Sequence, residues 1–318
     1  MKQLSVTVAR KVKEAEGIAS FELVSAEGKV LPPFSAGSHI DVEIRPGLTR
    51  QYSLCNDPTE QHRYLIAVLR DPHSRGGSAA LHDVVREGDT LAISEPKNHF
   101  PLVQAKRSLL FAGGIGVTPI LCMAERLAQS GNSFEMHYCS RSAERTAFRK
   151  RITLADFASQ VSFHYDDGTP EQKLDLTHLL ARPQAGTHLY VCGPSGFIDF
   201  IIQAAKSHGW QSEQLHLEYF GALAQDTSAD RDFQVKIASS GVLYTIPAGK
   251  PVIEVLASQG VNIPVSCEQG VCGTCATRVL DGVPEHRDVY LTDAERARND
   301  QFMPCCSRSK SPMLVLDL

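Results

Sequence analysis

The chain has 318 residues, 42% of them hydrophobic and 21% charged, with a formal charge of −4. That length exceeds what one small core organises, so two or three domains are expected. The slightly acidic balance excludes the basic stripe of a nucleic-acid binder.

The N-terminal MKQLSVTVARKVKEAEG alternates apolar and charged residues and lacks the apolar core and cleavage site of a secretory signal, which points to the cytoplasm. From Leu4 to Leu102 the runs LSVTVARKV, IASFELVS, SHIDVEI, RQYSLC, YLIAVLR and DTLAIS alternate apolar and polar residues between Gly, Pro and Asp clusters. Six short strands at this spacing predict an antiparallel barrel or sandwich, interrupted by a helix at SAALHDVVR just after a glycine pair.

On the strand RQYSLC, alternation puts Arg50 and Tyr52 on one side and Ser53 on the other unless the strand bends. A flat aromatic ligand with a phosphate tail could use this aromatic, hydroxyl and arginine. Gly76, Gly77 and Ser78 at the expected helix start are a phosphate candidate. A surface arginine beside a core tyrosine explains the same residues without a ligand.

From Arg107 to Gly221 the rhythm changes. Apolar strands SLLFA, FEMHYCS, VSFHY and HLYVCG alternate with helical stretches such as PILCMAERLAQ and FIDFIIQAAKSHG, the pattern of a parallel sheet with right-handed crossovers. The least polar stretch, SLLFAGGIGVTPILCMA, approaches membrane-spanning length, but its glycines and Pro119 read as strand, turn and helix start, so no membrane span is expected.

Gly113, Gly114 and Gly116 follow the first of these strands, and Pro119 suits a first helical turn. Free N–H groups at such a helix start favour a pyrophosphate. The spacing departs from G-x-G-x-x-G, and a turn that needs glycine for sterics alone is the competing reading. A second glycine turn, VCGPSGF, follows a later strand, and in open parallel sheets both can face one crevice at the carboxyl ends. At the end of the second strand, where an acid would hold the ribose of NAD, stand Ser140 and Arg141. Arg141 could accept a 2′-phosphate, so NADPH stays open beside NADH.

The small, polar segment GALAQDTSADRD reads as an interdomain linker. After Phe233, FQVKIAS and VLYTIPA predict a hairpin turning at SSG, VIEVLASQG a helix, TDAERARND a helix capped by Thr292, and MLVLDL a last strand.

Three of the nine cysteines fall within CEQGVCGTC. Their odd number and a reducing compartment disfavour a disulfide framework and favour metal or redox chemistry. Cys267, Cys272, Cys275 and the distant Cys305 have the C-x4-C-x2-C…C spacing of plant-type [2Fe–2S] proteins. Each iron of such a pair takes two protein sulfurs. Gly270 and Gly273 would let the loop fold tightly and aim amide N–H groups at the cluster. Structural zinc on the CxxC is the alternative, but Cys305 and the adjacent Cys306 are a poor second pair for one tetrahedral ion. Cys306 is spare, and Cys55, Cys122, Cys139 and Cys192 read as core residues.

With RQYSL, RGGS, AGGIGVTPI, HYCSRS, VCGPSGF, EYF and CEQGVCGTC in this order, the chain resembles the phthalate dioxygenase reductase family over nearly its whole length. The resemblance implies an FMN-binding antiparallel β-barrel (1–103), an NAD-binding α/β parallel-sheet domain (104–222), a linker (223–232) and a β-grasp α+β plant-type [2Fe–2S] ferredoxin domain (233–318). Residue by residue, Arg50, Gln51, Tyr52 and Ser53 match the flavin motif, and Ala67, Val68 and Leu69 lie on the strand beside the ring. Gly76, Gly77 and Ser78 match the FMN phosphate turn, and Phe220 the aromatic near the flavin. Gly113, Gly114, Gly116, Val117 and Thr118, with Ser140, Arg141, Cys192, Gly193, Pro194 and Phe197, match the nicotinamide nucleotide site. Ser53 and Cys192 are the catalytic candidates.

The implied activity is electron transfer from NADH, which the family generally prefers, through FMN and the cluster to a Rieske-type oxygenase. SAGSHIDVEI, HRYLIAVLRDP, DQFMPCCSRSK and LVLDL are most similar to reductases serving O-demethylation of vanillate or a similar aromatic acid. A reductase for another ring-hydroxylating oxygenase with a phthalate-like substrate, or a stand-alone flavin reductase, is the alternative. A monomer is expected.

Overall fold

The computed structural model describes residues 3–72, 76–221 and 227–318. Arg75 of the RGGS stretch and residues 223–226 of the expected linker lie outside them. The chain divides into two compact units, Met1–Glu218 and Tyr219–Leu318.

The first unit opens with β1 (Gln3–Ala15), β2 (Ile18–Ser25), β3 (Ser38–Arg45), β4 (Leu48–Ser53), β5 (Tyr64–Leu69), helix α1 (Gly77–Asp83), β6 (Thr90–Ser94) and β7 (Lys97–Asn98). The strands form one sheet in the order β4-β3-β6-β1-β2-β5, with β7 on β3. An antiparallel bridge between Leu54 and Ile66 joins the end of β4 to β5, so the two ends of that order meet and the sheet closes as a barrel. Alternation decides what fills it. Val6 and Val8, Phe21 and Leu23, Ile40 and Val42, and Leu91 and Ile93 are two-apart pairs in one core, into which α1 inserts Leu81. Each such side chain contributes about 1.5–3 kcal/mol by leaving water.

The same unit continues with β8 (Arg107–Gly113), α2 (Val117–Gln129), β9 (Ser133–Ser140), α3 (Arg149–Thr153), β10 (Val161–Tyr165), α4 (Leu176–Leu180), β11 (Thr187–Gly193), α5 (Ser195–Ser207) and β12 (Leu215–Tyr219). These strands order as β10-β9-β8-β11-β12, and β8 is parallel to both β9 and β11. The chain leaves β8 towards β9 and returns across it to β11, which makes the gap between β8 and β11 a topological switch point. α2 begins two residues before Pro119, which places the proline in the first turn, where its missing N–H has no helical partner to lose.

One core cluster runs from Ala15, Cys55 and Phe100 at the base of the barrel into Leu121, Tyr138 and Tyr190 of the parallel sheet and α2. The Tyr190 hydroxyl accepts from the Val103 N–H at 2.9 Å, and Arg151 donates to the Cys55 carbonyl at 3.0 Å. This shared packing joins the barrel to the parallel sheet within the first unit.

The second unit holds β13 (Phe233–Ile237), β14 (Leu243–Ile246), α6 (Val252–Ser258), β15 (Thr277–Asp281), β16 (Pro284–Glu285), α7 (Asp293–Arg298), β17 (Gln301–Phe302), β18 (Arg308–Ser309) and β19 (Met313–Leu316). Its main sheet orders as β14-β13-β19-β15-β17, with β13 and β19 parallel at the centre. Val252 and Leu256 of α6 pack on Val235, Ile246, Phe302 and Leu314 of that sheet, the β-grasp arrangement. Thr292 caps α7 in a reciprocal pair with Glu295. Edge strand β12 and the two-residue strands β16 to β18 carry no sequence expectation, because none has a clean period of buried residues.

Candidate functional site

The glycine turns meet at the switch point because no side chain fits between them. A Cβ on Gly193 would lie 2.9 Å from the Gly113 Cα, and one on Gly116 would lie 2.2 Å from the Cys192 carbonyl oxygen. The ring of Phe197 fills the space over both, 2.7 Å from a Cβ on Gly113 and 2.9 Å from one on Gly193. Gly114 alone needs glycine for its dihedral, at φ 54°. Val117 is buried, and Thr118 turns its hydroxyl inward onto the Ile115 carbonyl at 3.1 Å. Pro194 stands at the N-cap of α5. The result is a bare backbone shelf where β8 and β11 end, which suits a pyrophosphate.

At the end of β9, Ser140 is buried and its hydroxyl is engaged with Thr146 at 2.7 Å and with the Ser142 carbonyl. Arg141 is exposed. The backbone N–H groups of Asp166 and Asp167 donate to the carbonyls of Ser140 and Arg141 at 3.1 and 3.2 Å. The acid missing from the end of β9 is thus replaced by two just past the end of β10, a placement that the parallel pairing of β9 and β10 reveals.

In the barrel, Arg50 and Gly77 are brought together. A Cβ on Gly77 would lie 2.6 Å from the Arg50 Cγ, while one on Gly76, at φ 92°, would lie 3.8 Å from a guanidinium nitrogen of Arg45. Two arginines therefore flank this glycine turn, Arg45 having no signal in the sequence beyond its charge. Ser78 accepts the Asp71 N–H at 3.2 Å. The Gln51 amide binds Asp41 at 2.9 Å and contacts His39, so its side chain serves the sheet. Burial pushes the Tyr52 hydroxyl well above its usual range. On β5, Ala67 and Val68 are buried and Leu69 is exposed, and the Val68 carbonyl meets the His82 ring at 2.8 Å. Phe220, following β12, is 39% exposed.

Ser53 and Cys192 belong to different sheets, and Glu218 on β12 links them. The residue is half-buried overall, yet its carboxyl end is enclosed: Oε2 is buried without a hydrogen-bond partner. Burial raises this carboxyl to about 8, opposed by its hydrogen bond with Ser53. The Cys192 thiol is pushed well up by burial and then by the nearness of Glu218. A carboxyl group that is protonated at neutral pH can give a hydrogen bond or a proton, so three polar groups converge beside the switch point. Glu218 lies in the EYF stretch, but no local pattern marks it as buried.

Cys267, Cys272, Cys275 and Cys305 are each between 3% and 6% exposed. Their sulfurs come as two contacting pairs. Cys272 is drawn down by its contact with Cys267, and Cys275 is pushed far up by its contact with Cys305. Two pairs suit two irons, which favours the cluster over one tetrahedral zinc. Amides are directed at the sulfurs: Gln269 N–H to Cys267 at 3.3 Å, and Thr274 N–H to Cys272 at 3.5 Å. Gly270 and Gly273 have φ 71° and 72°, and a Cβ would lie 2.4 Å from the Cys306 sulfur and 2.2 Å from the Tyr290 ring. These residues fit a [2Fe–2S] centre.

Residues 235–310 match the family described as a 2Fe-2S iron-sulfur cluster binding domain, and residues 98–215 match the dimethylamine monooxygenase subunit DmmA-like N-terminal domain. The chain is 55% identical, over 99% of its length, to vanillate O-demethylase oxidoreductase of Pseudomonas putida, which is covered completely. It is 42% identical to phthalate dioxygenase reductase of Burkholderia cepacia across 99% of this chain and 97% of that one. A solved structure of phthalate dioxygenase reductase, described as modular for electron transfer from pyridine nucleotides to [2Fe–2S], matches with a TM-score of 0.79 at 41% identity, covering 99% and 98% of the two chains. No helix among the described residues is long and apolar enough to cross a membrane. Motif order, the two sheets with their glycine turns, the paired thiols and full-length likeness agree: the chain belongs to the phthalate dioxygenase reductase family of iron–sulfur flavoprotein oxidoreductases.

Proposed function

We propose that this chain is the reductase component of a two-component Rieske-type oxygenase, drawing electrons from NADH for O-demethylation of vanillate or a similar aromatic acid. The observation that carries the reading is the meeting of Ser53, Cys192 and the buried carboxyl of Glu218 beside the β8–β11 switch point. That convergence supports hydride transfer between a flavin site and a nucleotide site. When bound, FMN would supply the conversion of two-electron hydride chemistry into single-electron transfer, for which the [2Fe–2S] centre would be the acceptor.

The residues divide the work. Arg45 and Arg50 neutralise the FMN phosphate at the Gly76–Gly77 turn, with Ser78 at the helix start. Tyr52 and Ala67 to Leu69 border the ring. The shelf of Gly113, Gly114, Gly116, Val117, Thr118, Gly193 and Pro194 receives the pyrophosphate, and Arg141 meets the adenosine end. Cys267, Cys272, Cys275 and Cys305 hold the irons. The functional modules span 1–103, 104–222 and 233–318, with 223–232 as linker, in a monomer working in the cytoplasm.

The 55% identity to a vanillate O-demethylase oxidoreductase, against 42% to phthalate dioxygenase reductase, supports the demethylase substrate. Adding NADH under anaerobic conditions should bleach the flavin and cluster absorbance; an unchanged spectrum ends the reading. Reconstitution with candidate Rieske oxygenases separates the substrates: NADH-driven demethylation of vanillate supports the assignment, and dihydroxylation of phthalate in its place overturns it.

A further inference from the structure

Behind the cysteine loop lies a charge that the electron-transfer scheme does not use. The Asp288 side chain is fully buried, at 0% exposure. A carboxylate removed from water costs several kcal/mol unless donors and cations surround it. Here the Leu291 N–H donates to Oδ2 at 2.8 Å and the Ser307 hydroxyl to Oδ1 at 3.4 Å. The Nδ1 of His286 lies 3.7 Å from Oδ1, and an Arg296 guanidinium nitrogen 4.0 Å from Oδ2. The His286 side chain is 9% exposed, and neither of its ring nitrogens has a hydrogen-bond partner among the described residues. The carboxylate is thus surrounded by hydrogen-bond donors and basic side chains.

Its position matters more than its partners. Asp288 touches both segments that carry the cysteines. A Cβ on Gly270, inside the Cys267–Cys275 loop, would lie 3.0 Å from the Asp288 Cα and 3.1 Å from its Cβ, and the neighbouring Val289 N–H donates to the Gly270 carbonyl at 3.0 Å. Ser307, which binds the carboxylate, is two residues from Cys305. A redox centre's potential follows the charge around it, because reduction adds a negative charge to a site of low dielectric.

We propose that Asp288 is a positioning residue that sets the reduction potential of the iron–sulfur centre, holding it low with a buried negative charge placed against both cysteine-bearing segments. The proposal rests on the [2Fe–2S] reading of residues 235–310. Arg296, one-third exposed on α7, partly offsets that charge from the solvent side.

The test is a redox titration of the purified full-length protein, followed by electron paramagnetic resonance, after iron and acid-labile sulfide have been counted. A wild-type protein without cluster overturns the cofactor reading itself. With the cluster present, Asp288→Asn should shift the one-electron reduction equilibrium roughly tenfold towards the reduced form, ~59 mV upwards. Arg296→Gln should move it the opposite way, and Asp281→Asn, an exposed acid at the far end of β15, should not move it. Loss of packing alone does not give opposite signs for the two neighbours. A cluster-loaded Asp288→Asn protein with an unchanged midpoint overturns the proposal. If that variant fails to hold its cluster, Arg296→Gln decides: an unchanged or raised midpoint overturns it.

Discussion

Ser53 at the end of barrel strand β4 and Glu218 on the last strand of the parallel sheet share a hydrogen bond inside the first unit. Because burial raises the carboxyl to about 8, the native state keeps a proton that an unfolded chain releases near pH ~4.3. The native state then binds more protons than the unfolded one between those values, so stability falls as pH rises, by about 1.4 kcal/mol per unit, until the loss is complete above the folded value. Glu218→Gln should remove this slope. Urea unfolding of both proteins at several pH values between 5 and 8 checks it; parallel slopes refute the assignment. The same substitution should slow flavin reduction by NADH about tenfold to hundredfold in rapid mixing, since a neutral amide cannot exchange a proton.

Cys305 and Cys306 are adjacent, but their surroundings separate them. Cys305 is 5% exposed and contacts Cys275, whereas Cys306 packs its sulfur against Gly270. Cys305→Ser should abolish the cluster, and Cys306→Ser should retain it. Iron and sulfide content and visible circular dichroism of the two proteins give the answer, and equal cluster content in both removes the ligand assignment.

The cysteine loop was legible because its ligands lie close in sequence and their spacing is a direct image of the geometry. The glycine turns were legible for a similar reason, since Gly113 and Gly116 follow an apolar strand and precede a proline. Glu218 was not. Its burial depends on β12 lying beside β11 and on the barrel presenting Ser53 to it, and neither relation leaves a period in the sequence. Arg45 and Asp288 escaped in the same way: each acquires its meaning from a segment far along the chain, Gly76 for the first and Gly270 with Ser307 for the second. Gln51 is matched to the flavin motif by resemblance, yet the hydrogen bond of its side chain to Asp41 accounts for that residue without a ligand.

Gly116 separates sterics from dihedral preference, because its φ of −60° is open to any residue. An added methyl meets backbone, the Cys192 carbonyl oxygen at 2.2 Å and the Gly193 nitrogen at 2.6 Å, and neither can swing aside. Gly116→Ala should therefore widen the switch point at a cost of about 1–3 kcal/mol. The KM for NADH should rise several-fold while FMN and iron content stay at wild-type levels. Steady-state kinetics alongside cofactor analysis checks this. Loss of FMN with an unchanged KM places the strain in the barrel and defeats the prediction.

Arg141 tests the adenosine end of the nucleotide site. It is exposed at the end of β9, and its carbonyl is held by the Asp167 N–H at 3.2 Å, so its backbone stays fixed when the side chain is replaced. A guanidinium favours a 2′-phosphate through paired charge-assisted hydrogen bonds, and the neighbouring Asp166 and Asp167 carboxylates oppose one. Arg141→Glu removes the attractive charge and adds a third repulsive one. The KM for NADPH should rise at least tenfold, and the KM for NADH much less, because the ribose hydroxyl of NADH is neutral. Raising the salt concentration should narrow the difference, since these groups face solvent. An unchanged NADH-to-NADPH ratio of kcat/KM takes Arg141 out of cofactor selection and leaves the two aspartates as the next residues to vary.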